Sequence, residues 1–444
     1  MTKEHRDGTS AAGQLPHELS DRLKRPFTLF FQVHAAGGGV LLLCSLVALG
    51  LANSPWAHAY AAFWETPVGV HAGALVFARS LHAWINDAAM TLFFFLVALA
   101  LKKELVLGDL RNPRMAALPI AAAIGGMLVP AGLFLAVMSG RPGSQGWGTV
   151  MTTDTAFVIG CLALLGTRVP RSLSMFMLSL AIVDDIGAML VVALGYSDAI
   201  DWRALAWAVA GLVLLRAAAW AGIRGFPVYF LLGSFIWVAV DASGVHATAT
   251  GVVLGLMTPA RRWVTDDRLY AILDRVVAHP TALEHGGDTR DRETLQIAEI
   301  AARETLSPVE RLEMALHPWV SFVILPLFAL SNAGMTLGEG QSAGTLTLAV
   351  VLGAVVGKPV GVLAFAWLAM RSGVALRAPG LARRHMLGGS LLAGIGFTMA
   401  LFIANLAFDH TQLYEAKLGI LLASLGAAVT GLAVLWWPSR HSVP

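Results

Sequence analysis

Two adjacent aspartates, Asp184 and Asp185, lie at the centre of an apolar segment, LSLAIVDDIGAMLVVAL, which spans residues 178–194. On a membrane-insertion scale the nine Leu, Ile and Val residues of this segment contribute roughly 3 to 5 kcal/mol, whereas two central aspartates cost roughly 5 to 7 kcal/mol. The segment is therefore not expected to enter lipid alone, and its carboxylates must face a protein interior or a water-filled cavity. Acids in such positions predict a functional site.

A third acid, Asp154, lies among Thr152, Thr153 and Thr155 within the apolar segment 147–166. Threonine is a poor helix former, and its hydroxyl can bond nearby backbone groups, so this cluster favours a break in the helix. Irregular backbone at membrane depth is tolerated where it is buried in protein or lines a cavity. The alternative is an unbroken helix in which the threonine hydroxyls bond their own backbone.

The segment 388–408 carries a second candidate break at Gly394, Gly396 and Thr398. Taken alone, these small residues would also suit close packing between unbroken helices. Two broken helices would bring half-helix ends into a medium of low dielectric constant, where the N-terminal ends need an anion and the C-terminal ends need a cation. Asp154 is the candidate anion.

Lys358 is the candidate cation, because it lies in the middle of the apolar segment AVVGKPVGVLAF, residues 354–365. A lysine at this depth cannot easily extend to either membrane surface. We expect it to pair with a carboxylate or with backbone carbonyl groups. A further possibility is that it pairs with an aspartate and releases it when a cation binds.

These residues together would place three acids, one lysine and several threonines at mid-depth in a membrane. Carboxylate and carbonyl oxygens suit a hard cation such as Na⁺. Two adjacent carboxylates removed from water repel each other, which favours proton uptake near neutral pH. One site could then hold protons or a metal cation in turn, which is the chemistry of a cation/proton antiporter. No cofactor is expected besides the transported ions.

The elements that must position these groups are membrane-spanning helices. The chain of 444 residues is 57% hydrophobic and 13% charged, which is typical of an all-α polytopic membrane protein and not of a soluble domain. Segments long enough to cross roughly 30 Å of hydrocarbon predict about twelve transmembrane helices. Their approximate cores are residues 30–52, 84–101, 115–138, 148–167, 172–195, 203–222, 226–240, 245–259, 317–336, 345–370, 387–408 and 415–437.

An even number of spans places both termini on one side of the membrane, and the distribution of Lys and Arg indicates which side. The N-terminal tail and the loops on its side contain most of the loop cations: Arg22, Lys24, Arg25, Lys102, Lys103, Arg111, Arg114, Arg168, Arg171, Arg377, Arg383 and Arg384. The opposite loops contain little more than Arg79, Arg141, Arg203 and Lys417. Both termini are therefore predicted to be cytoplasmic.

The predicted domain organisation is a tail at 1–26, a transporter domain at 27–438 and a second tail at 439–444. The large polar insertion at 261–312 should be a cytoplasmic loop with two short amphipathic helices, the second capped in an S-x-x-E arrangement that begins at Ser307. We interpret it as a surface insertion, with binding of a partner as the alternative.

Helices three to five and ten to twelve of this prediction form two triplets separated by an odd number of spans, so equivalent helices run in opposite directions. Each triplet has its candidate break in its central helix. This pattern predicts inverted repeats whose interrupted helices, four and eleven, cross at mid-membrane around the binding site.

The chain resembles the NhaA family of bacterial Na⁺/H⁺ antiporters over nearly all of residues 27–438. The resemblance rests on the segments WINDAAMTLFFFLVALALKKEL, MTTDTAFVIG, LAIVDDIGAM, SGVHATATGVVLG, LHPWVSFVILPLFALSNAG, GKPVG and GIGFTMALFIANLAF. It implies a twelve-helix fold in the bacterial inner membrane, a possible homodimer, and electrogenic exchange of Na⁺ or Li⁺ for a larger number of protons.

The resemblance also implies roles for particular residues. Asp184 and Asp185 would bind Na⁺ and protons, Thr153, Asp154, Gly394 and Gly396 would belong to the interrupted helices, and Lys358 would supply the counter-charge. A pH response would involve Lys102, Lys103, Glu104, His246, Glu313 and His317.

This chain departs from the family at two positions near the expected pH-responsive group. Ala100 stands where the family often has a glutamate, and Met314 stands where a histidine can occur. These departures leave the transport site intact but put the pH response in doubt. The alternative for Glu313 and His317 is a helix start at the membrane interface, and for His246 an interior histidine with a hydrogen-bond partner.

Two other functions are alternatives to antiport. An intramembrane aspartyl protease takes its two acids from separate helices, whereas here they are consecutive and point about 100° apart around one helix. A sodium-coupled symporter of related fold is the nearer alternative. Nucleic-acid binding is not expected.

Overall fold

The structure of the protein is a computed structural model. The described residues are 34–72, 75–106, 108, 112–196, 200–221, 226–260, 270–272, 274, 296, 305–336, 344–376 and 380–437. Both predicted tails and most of the predicted insertion at 261–312 lie outside the described residues.

The described chain is almost entirely helical. Its helices, in chain order, are α1 (His34–Ala52), α2 (Ala57–Trp64), α3 (Leu81–Val106), α4 (Pro113–Val137), α5 (Thr155–Leu165), α6 (Arg171–Gly195), α7 (Trp202–Trp220), α8 (Phe226–Ala242), α9 (Ala249–Met257), α10 (Pro308–Asn332), α11 (Thr345–Arg371), α12 (Arg383–Leu392), α13 (Phe397–Ala407) and α14 (His410–Trp436). A 3₁₀ helix at Ser144–Val150 precedes α5.

The lengths of these helices support a polytopic membrane protein. Within the described residues, eight helical segments are long and apolar enough to cross a membrane, and ten are if each of two bent pairs is one span. The bent pairs are α1 with α2, at 118°, and α12 with α13, at 42°. Two predicted windows fall on α8 and α9, whose 17 and 9 residues are too few to pass the same test.

The predicted ninth span begins earlier than its apolar sequence suggests. The Ser307 hydroxyl accepts a hydrogen bond from the Glu310 backbone N–H, and the Glu310 carboxylate accepts one from the Ser307 N–H. This capping box starts a helix at Pro308. The amphipathic helix expected at the end of the insertion and the ninth span are therefore one continuous helix, α10.

A two-stranded antiparallel hairpin, formed by β1 (Pro67–Ala72) and β2 (Leu75–Ser80), was not predicted. Its base is tied to α3, because the Trp84 indole N–H donates to the Val68 carbonyl at 2.8 Å. Strands of this length are too short to be recognised from apolar segments of membrane-spanning length.

An ion-pair cluster joins the end of this hairpin to two helices. Arg79 lies 2.9 Å from Asp87 on α3 and also pairs with Asp241 on α8, while the rings of Trp84 and Trp237 stack beside it, 6.1 Å apart. The sequence carried a signal for this cluster, since Asp87 and Asp241 are acids within apolar segments.

Close backbone packing between α4 and α11 places Lys358 in the protein interior. A Cβ atom added to Gly125 would lie 2.2 Å from the Gly361 carbonyl oxygen, and one added to Gly361 would lie 2.0 Å from the Gly125 oxygen. Only glycine fits at both positions. Lys358, one helical turn before Gly361, is thereby held against α4 and is fully buried.

Candidate functional site

The first break lies within the segment that the threonine cluster marks. The 3₁₀ helix ends at Val150, residues 152–154 have no regular structure, and α5 begins at Thr155. Asp154 is the N-cap residue of α5 and accepts a hydrogen bond from the Phe157 backbone N–H at 3.3 Å. An aspartate is favoured here because it satisfies a free N–H and opposes the positive end of the helix dipole.

The second break separates α12 from α13 and contacts the first. The Asp154 N–H donates to the Ile395 carbonyl at 2.6 Å, and the Thr398 N–H donates to Oδ2 of Asp154 at 2.9 Å. The Thr398 hydroxyl donates to the same oxygen. One buried carboxylate therefore caps the N-terminal ends of both α5 and α13.

Gly394 and Gly396 make this approach possible to different degrees. A Cβ atom on Gly394 would lie 2.6 Å from the Ala354 carbonyl oxygen, whereas one on Gly396 would lie 3.2 Å from its nearest neighbours. Gly394 is thus the position where the second break meets α11 most closely.

Lys358 reaches the site from α11, directly after a π-helical turn at Gly353–Gly357. Its ammonium group lies 2.8 Å from Oδ2 of Asp184 and donates to the Met151 carbonyl, at the end of the 3₁₀ helix. The two alternatives left open by the sequence, a carboxylate or a backbone carbonyl, are both realised. The lysine therefore offsets charge on α6 and at a half-helix C-terminus.

Thr153 links the first break to the aspartate pair on α6. Its hydroxyl lies 2.7 Å from Oδ2 of Asp184 and 3.0 Å from the Ala393 carbonyl oxygen. A hydroxyl has one proton, so it can donate to only one of these acceptors at a time. When the proton points to Asp184, Lys358 and Thr153 hold this carboxylate together.

The neighbouring Asp185 has neither the lysine contact nor the threonine contact that holds Asp184. It is 3% exposed, and within the described part of the chain its Oδ1 has no hydrogen-bond partner. The same is true of Oδ1 of Asp184. Buried polar atoms normally have hydrogen-bond partners. These two carboxylate oxygens on adjacent residues have none among the described residues, so they are available to bind a proton or a cation.

The donor set at this position consists of hard oxygen ligands. It contains carboxylates from α6, the Thr153 hydroxyl and backbone carbonyls at the two breaks. Such oxygens suit a small hard cation as cargo. No group of three or more His, Cys, Asp or Glu side chains suited to a metal ion occurs among the residues that the structure describes.

The predicted pH-responsive residues come together only in part. Lys103 on α3 lies 3.0 Å from the carboxylate of Glu313 on α10, and Lys102 donates to the Leu256 carbonyl at the end of α9. Glu104 has a buried Oε2 with no hydrogen-bond partner among the described residues. His317 lies one helical turn beyond Glu313.

His246 lies at the opposite end of α9 from the Leu256 carbonyl that Lys102 contacts. A ring nitrogen of His246 is 2.7 Å from the Tyr196 carbonyl, at the end of α6. The Tyr196 hydroxyl in turn donates to the Gln145 carbonyl before the first break. His246 therefore contacts the end of the aspartate-bearing helix, and Tyr196 links that end to the segment before the first break. His246 is not part of the Lys103–Glu313 pair.

A buried network of amide side chains was missed by sequence reasoning. Asn332 on α10 is bonded to His82 and Asn86 on α3 and to Asn405 on α13, at 3.0, 2.9 and 2.7 Å. It links the C-terminal part of α13 to α3 and α10. The sequence feature that could have predicted this network is the occurrence of asparagines within apolar segments.

The comparisons with known proteins agree on one family. The sequence profile described as Na⁺/H⁺ antiporter 1 matches residues 28–435. A protein named Na(+)/H(+) antiporter NhaA 2 from Acidiphilium cryptum (strain JF-5) is 57% identical over 423 residues, which cover 95% of this chain and 94% of that protein.

Two further relatives show the same extent of similarity. Na(+)/H(+) antiporter NhaA from Rhizobium meliloti (strain 1021) is 56% identical over 96% of this chain and 99% of its own length. Na(+)/H(+) antiporter NhaA 2 from Vibrio vulnificus (strain CMCP6) is 51% identical over 98% of this chain and 97% of its own length. These names are those of transporters rather than enzymes, and they give no support to a symporter.

Proposed function

Because the chain belongs to the Na⁺/H⁺ antiporter 1 family, we propose that it is a secondary active transporter that exchanges cytoplasmic Na⁺ or Li⁺ for external protons at Asp184 and Asp185. The observation that carries this proposal is the asymmetry of the buried pair. Asp184 is bound by Lys358 and Thr153, whereas the Asp185 carboxylate makes neither of these contacts in the described structure.

Competition between protons and Na⁺ follows from the charges of this group. With both aspartates ionised and Lys358 protonated, the pair and its lysine carry a net charge of −1, which attracts one monovalent cation. When Na⁺ leaves, the carboxylates must take up protons, because unpaired buried charges are costly. Two carboxylates can take up more protons than the number of Na⁺ ions released, so the cycle would be electrogenic.

Lys358 is proposed as the group that changes partner during this cycle. In the described arrangement its ammonium group occupies one side of Asp184. A cation that takes this place would displace the ammonium group toward the Met151 carbonyl, which it already contacts. The half-helix end thus provides an alternative partner for the lysine.

The remaining architecture is proposed from the resemblance and the loop charges. It comprises twelve spans, inverted repeats, helices crossing at the two contacting breaks, both termini in the cytoplasm and insertion into the bacterial inner membrane. The transporter domain would cover residues 27–438 with the cytoplasmic insertion at 261–312, flanked by the tails 1–26 and 439–444. A homodimer and a role in pH and sodium homeostasis are proposed on the same basis.

The proposal is tested with purified protein in acid-loaded vesicles that contain a fluorescent pH indicator. Addition of external Na⁺ should make the lumen more alkaline without any organic substrate, and valinomycin with K⁺ should accelerate the change if exchange is electrogenic. Asp185→Asn should show no change. Asp201→Asn is the matched control, because Asp201 caps α7 outside this site. No lumenal alkalinisation, or equal activity in Asp185→Asn, contradicts the proposal.

A further inference from the structure

An apolar groove lies between the C-terminal ends of α5 and α14. Its cavity volume is about 520 Å³, and each lining side chain is a hydrocarbon or an indole. The lining residues are Leu164, Leu165, Leu432, Ala433, Trp436 and Trp437. Leu164 is 76% exposed and Trp437 is 72% exposed, so the groove opens to the surroundings of the protein.

A cation is fixed beside this groove. The guanidinium carbon of Arg168, on the turn directly after α5, lies 4.2 Å from the centre of the Trp436 ring. Stacking on an indole holds a guanidinium in place without using its hydrogen bonds. Within the described chain, no carboxylate forms an ion pair with Arg168.

A second arginine, Arg384, offsets the negative charge that would otherwise repel an anion from the groove. The C-terminal end of α14 carries partial negative charge, which would repel an anion. Arg384, on α12, donates through Nε to the Val434 carbonyl at 2.9 Å and through Nη2 to the Leu435 carbonyl at 3.0 Å. These bonds use only part of its five N–H donors.

The chain segments that meet here carry no opposing charge. No Asp or Glu occurs in residues 155–183, 380–408 or 416–437, whereas Arg168, Arg171, Arg383 and Arg384 lie within these ranges. The local field is therefore positive next to an apolar groove. This combination matches a molecule with a negatively charged head and a hydrocarbon tail.

We propose that this groove binds one anionic phospholipid, with its phosphate at Arg168 and an acyl chain along the groove between α5 and α14. The exposed indoles of Trp436 and Trp437 are typical of the level where lipid headgroups meet hydrocarbon. A free phosphate would use the arginines but not the apolar lining. The bound lipid would steady the end of α5, the half-helix that Asp154 caps.

The test is native mass spectrometry of the purified protein, titrated with phosphatidylglycerol or phosphatidylcholine of identical acyl chains. One phosphatidylglycerol should be retained in preference to phosphatidylcholine. Arg168→Gln should weaken this retention about fivefold, the typical effect of one basic residue on an anionic lipid. Equal retention of the two lipids by the wild type would overturn the proposal.

Arg371→Gln is the matched control. The Arg371 guanidinium also lies over an exposed indole, at 5.3 Å from the Trp367 ring, but it does not border this groove. It should leave retention unchanged, and losses equal to those of Arg168→Gln would reject the assigned position. Ala433→Phe fills the groove while it leaves both arginines in place, so it should also weaken retention. Unchanged retention in that variant, or full competition by inorganic phosphate, would show that the acyl groove is not used.

Discussion

The ammonium group of Lys358 and the carboxylate of Asp184 lie 2.8 Å apart, and neither side chain has exposed surface. Each charge depends on the other, because removal of one partner leaves the other buried and unpaired. Asp185, the next residue, makes no such direct pair with the lysine in the described structure. The Asp184 carboxylate is therefore expected to stabilise the protein more than the adjacent and chemically identical Asp185 carboxylate.

The first prediction separates these two aspartates. Asp184→Asn and Asp185→Asn should both abolish Na⁺-dependent proton movement in vesicles. Only Asp184→Asn should also lower the free energy of unfolding, by about 3 kcal/mol, because it strands the Lys358 ammonium group. Thermal unfolding in detergent measures the difference, with Asp201→Asn as the surface control. Equal losses of stability in the two variants would contradict the described pairing.

A second prediction concerns the charge of Lys358. Lys358→Arg should retain partial exchange, since it keeps the positive charge, whereas Lys358→Glu should lose both activity and thermal stability because it adds a fourth acid. Lys358→Met should be destabilised, and addition of Asp184→Asn should restore much of that stability without restoring exchange. A stable, active Lys358→Glu protein is incompatible with this electrostatic role.

The third prediction concerns the contact between the second break and α11. Gly394→Ala should lower thermal stability and exchange, because its Cβ would lie 2.6 Å from the Ala354 carbonyl oxygen. Gly426→Ala, on α14, is the matched control, since its Cβ would meet Val355 at an ordinary 3.7 Å. Alanine is favoured over glycine within a helix by roughly 1 kcal/mol, so the control should be unchanged or more stable. Similar behaviour of the two variants would refute the close approach.

The fourth prediction concerns the steepness of the pH response. Ala100 lies one turn before Glu104 on α3, and Met314 is an exposed neighbour of Glu313 on α10. In the double change Ala100→Glu and Met314→His, the added glutamate carries negative charge across the tested pH range, and the added histidine loses its positive charge as the pH rises. Both changes favour approach of a cation, so activity should rise more steeply with pH.

Exchange in vesicles from about pH 6 to 9, a window around the ordinary histidine pKa, measures this effect. The charged groups close to the altered positions along α3 and α10 include Lys102, Lys103, Glu104 and Glu313. Na⁺ affinity at saturating alkaline pH should stay unchanged, because the substitutions lie outside the aspartate site. Superimposable profiles for the wild type and the double variant would show that these positions do not set the pH response.

Local sequence patterns were sufficient to locate the two breaks. Threonines around Asp154 and glycines at Gly394 and Gly396 are unfavourable in a helix for reasons that operate within a few residues. The buried position of Lys358 was also predictable, from its apolar neighbours. These features depend on composition along a single segment.

Partners that are distant in sequence could not be predicted in the same way. Thr398 and Asp154 are 244 positions apart, and no local pattern indicates that the Thr398 N–H bonds that carboxylate. The Asn332 network and the cluster of Arg79 with two aspartates likewise result from how helices pack. The hairpin was missed because its strands are short and its residues form no apolar segment long enough to cross a membrane.

The glycine contact between α4 and α11 constrains how the protein can move. Gly125 and Gly361 each occupy the space that a side chain of the other would need, so the two helices have no clearance to slide past one another. Lys358 is carried on the same stretch of α11. We therefore expect α4 and α11 to move as one rigid body. A change in the contacts of the Lys358 ammonium group would then come from rotation of its own side chain or from displacement of the broken helices around it.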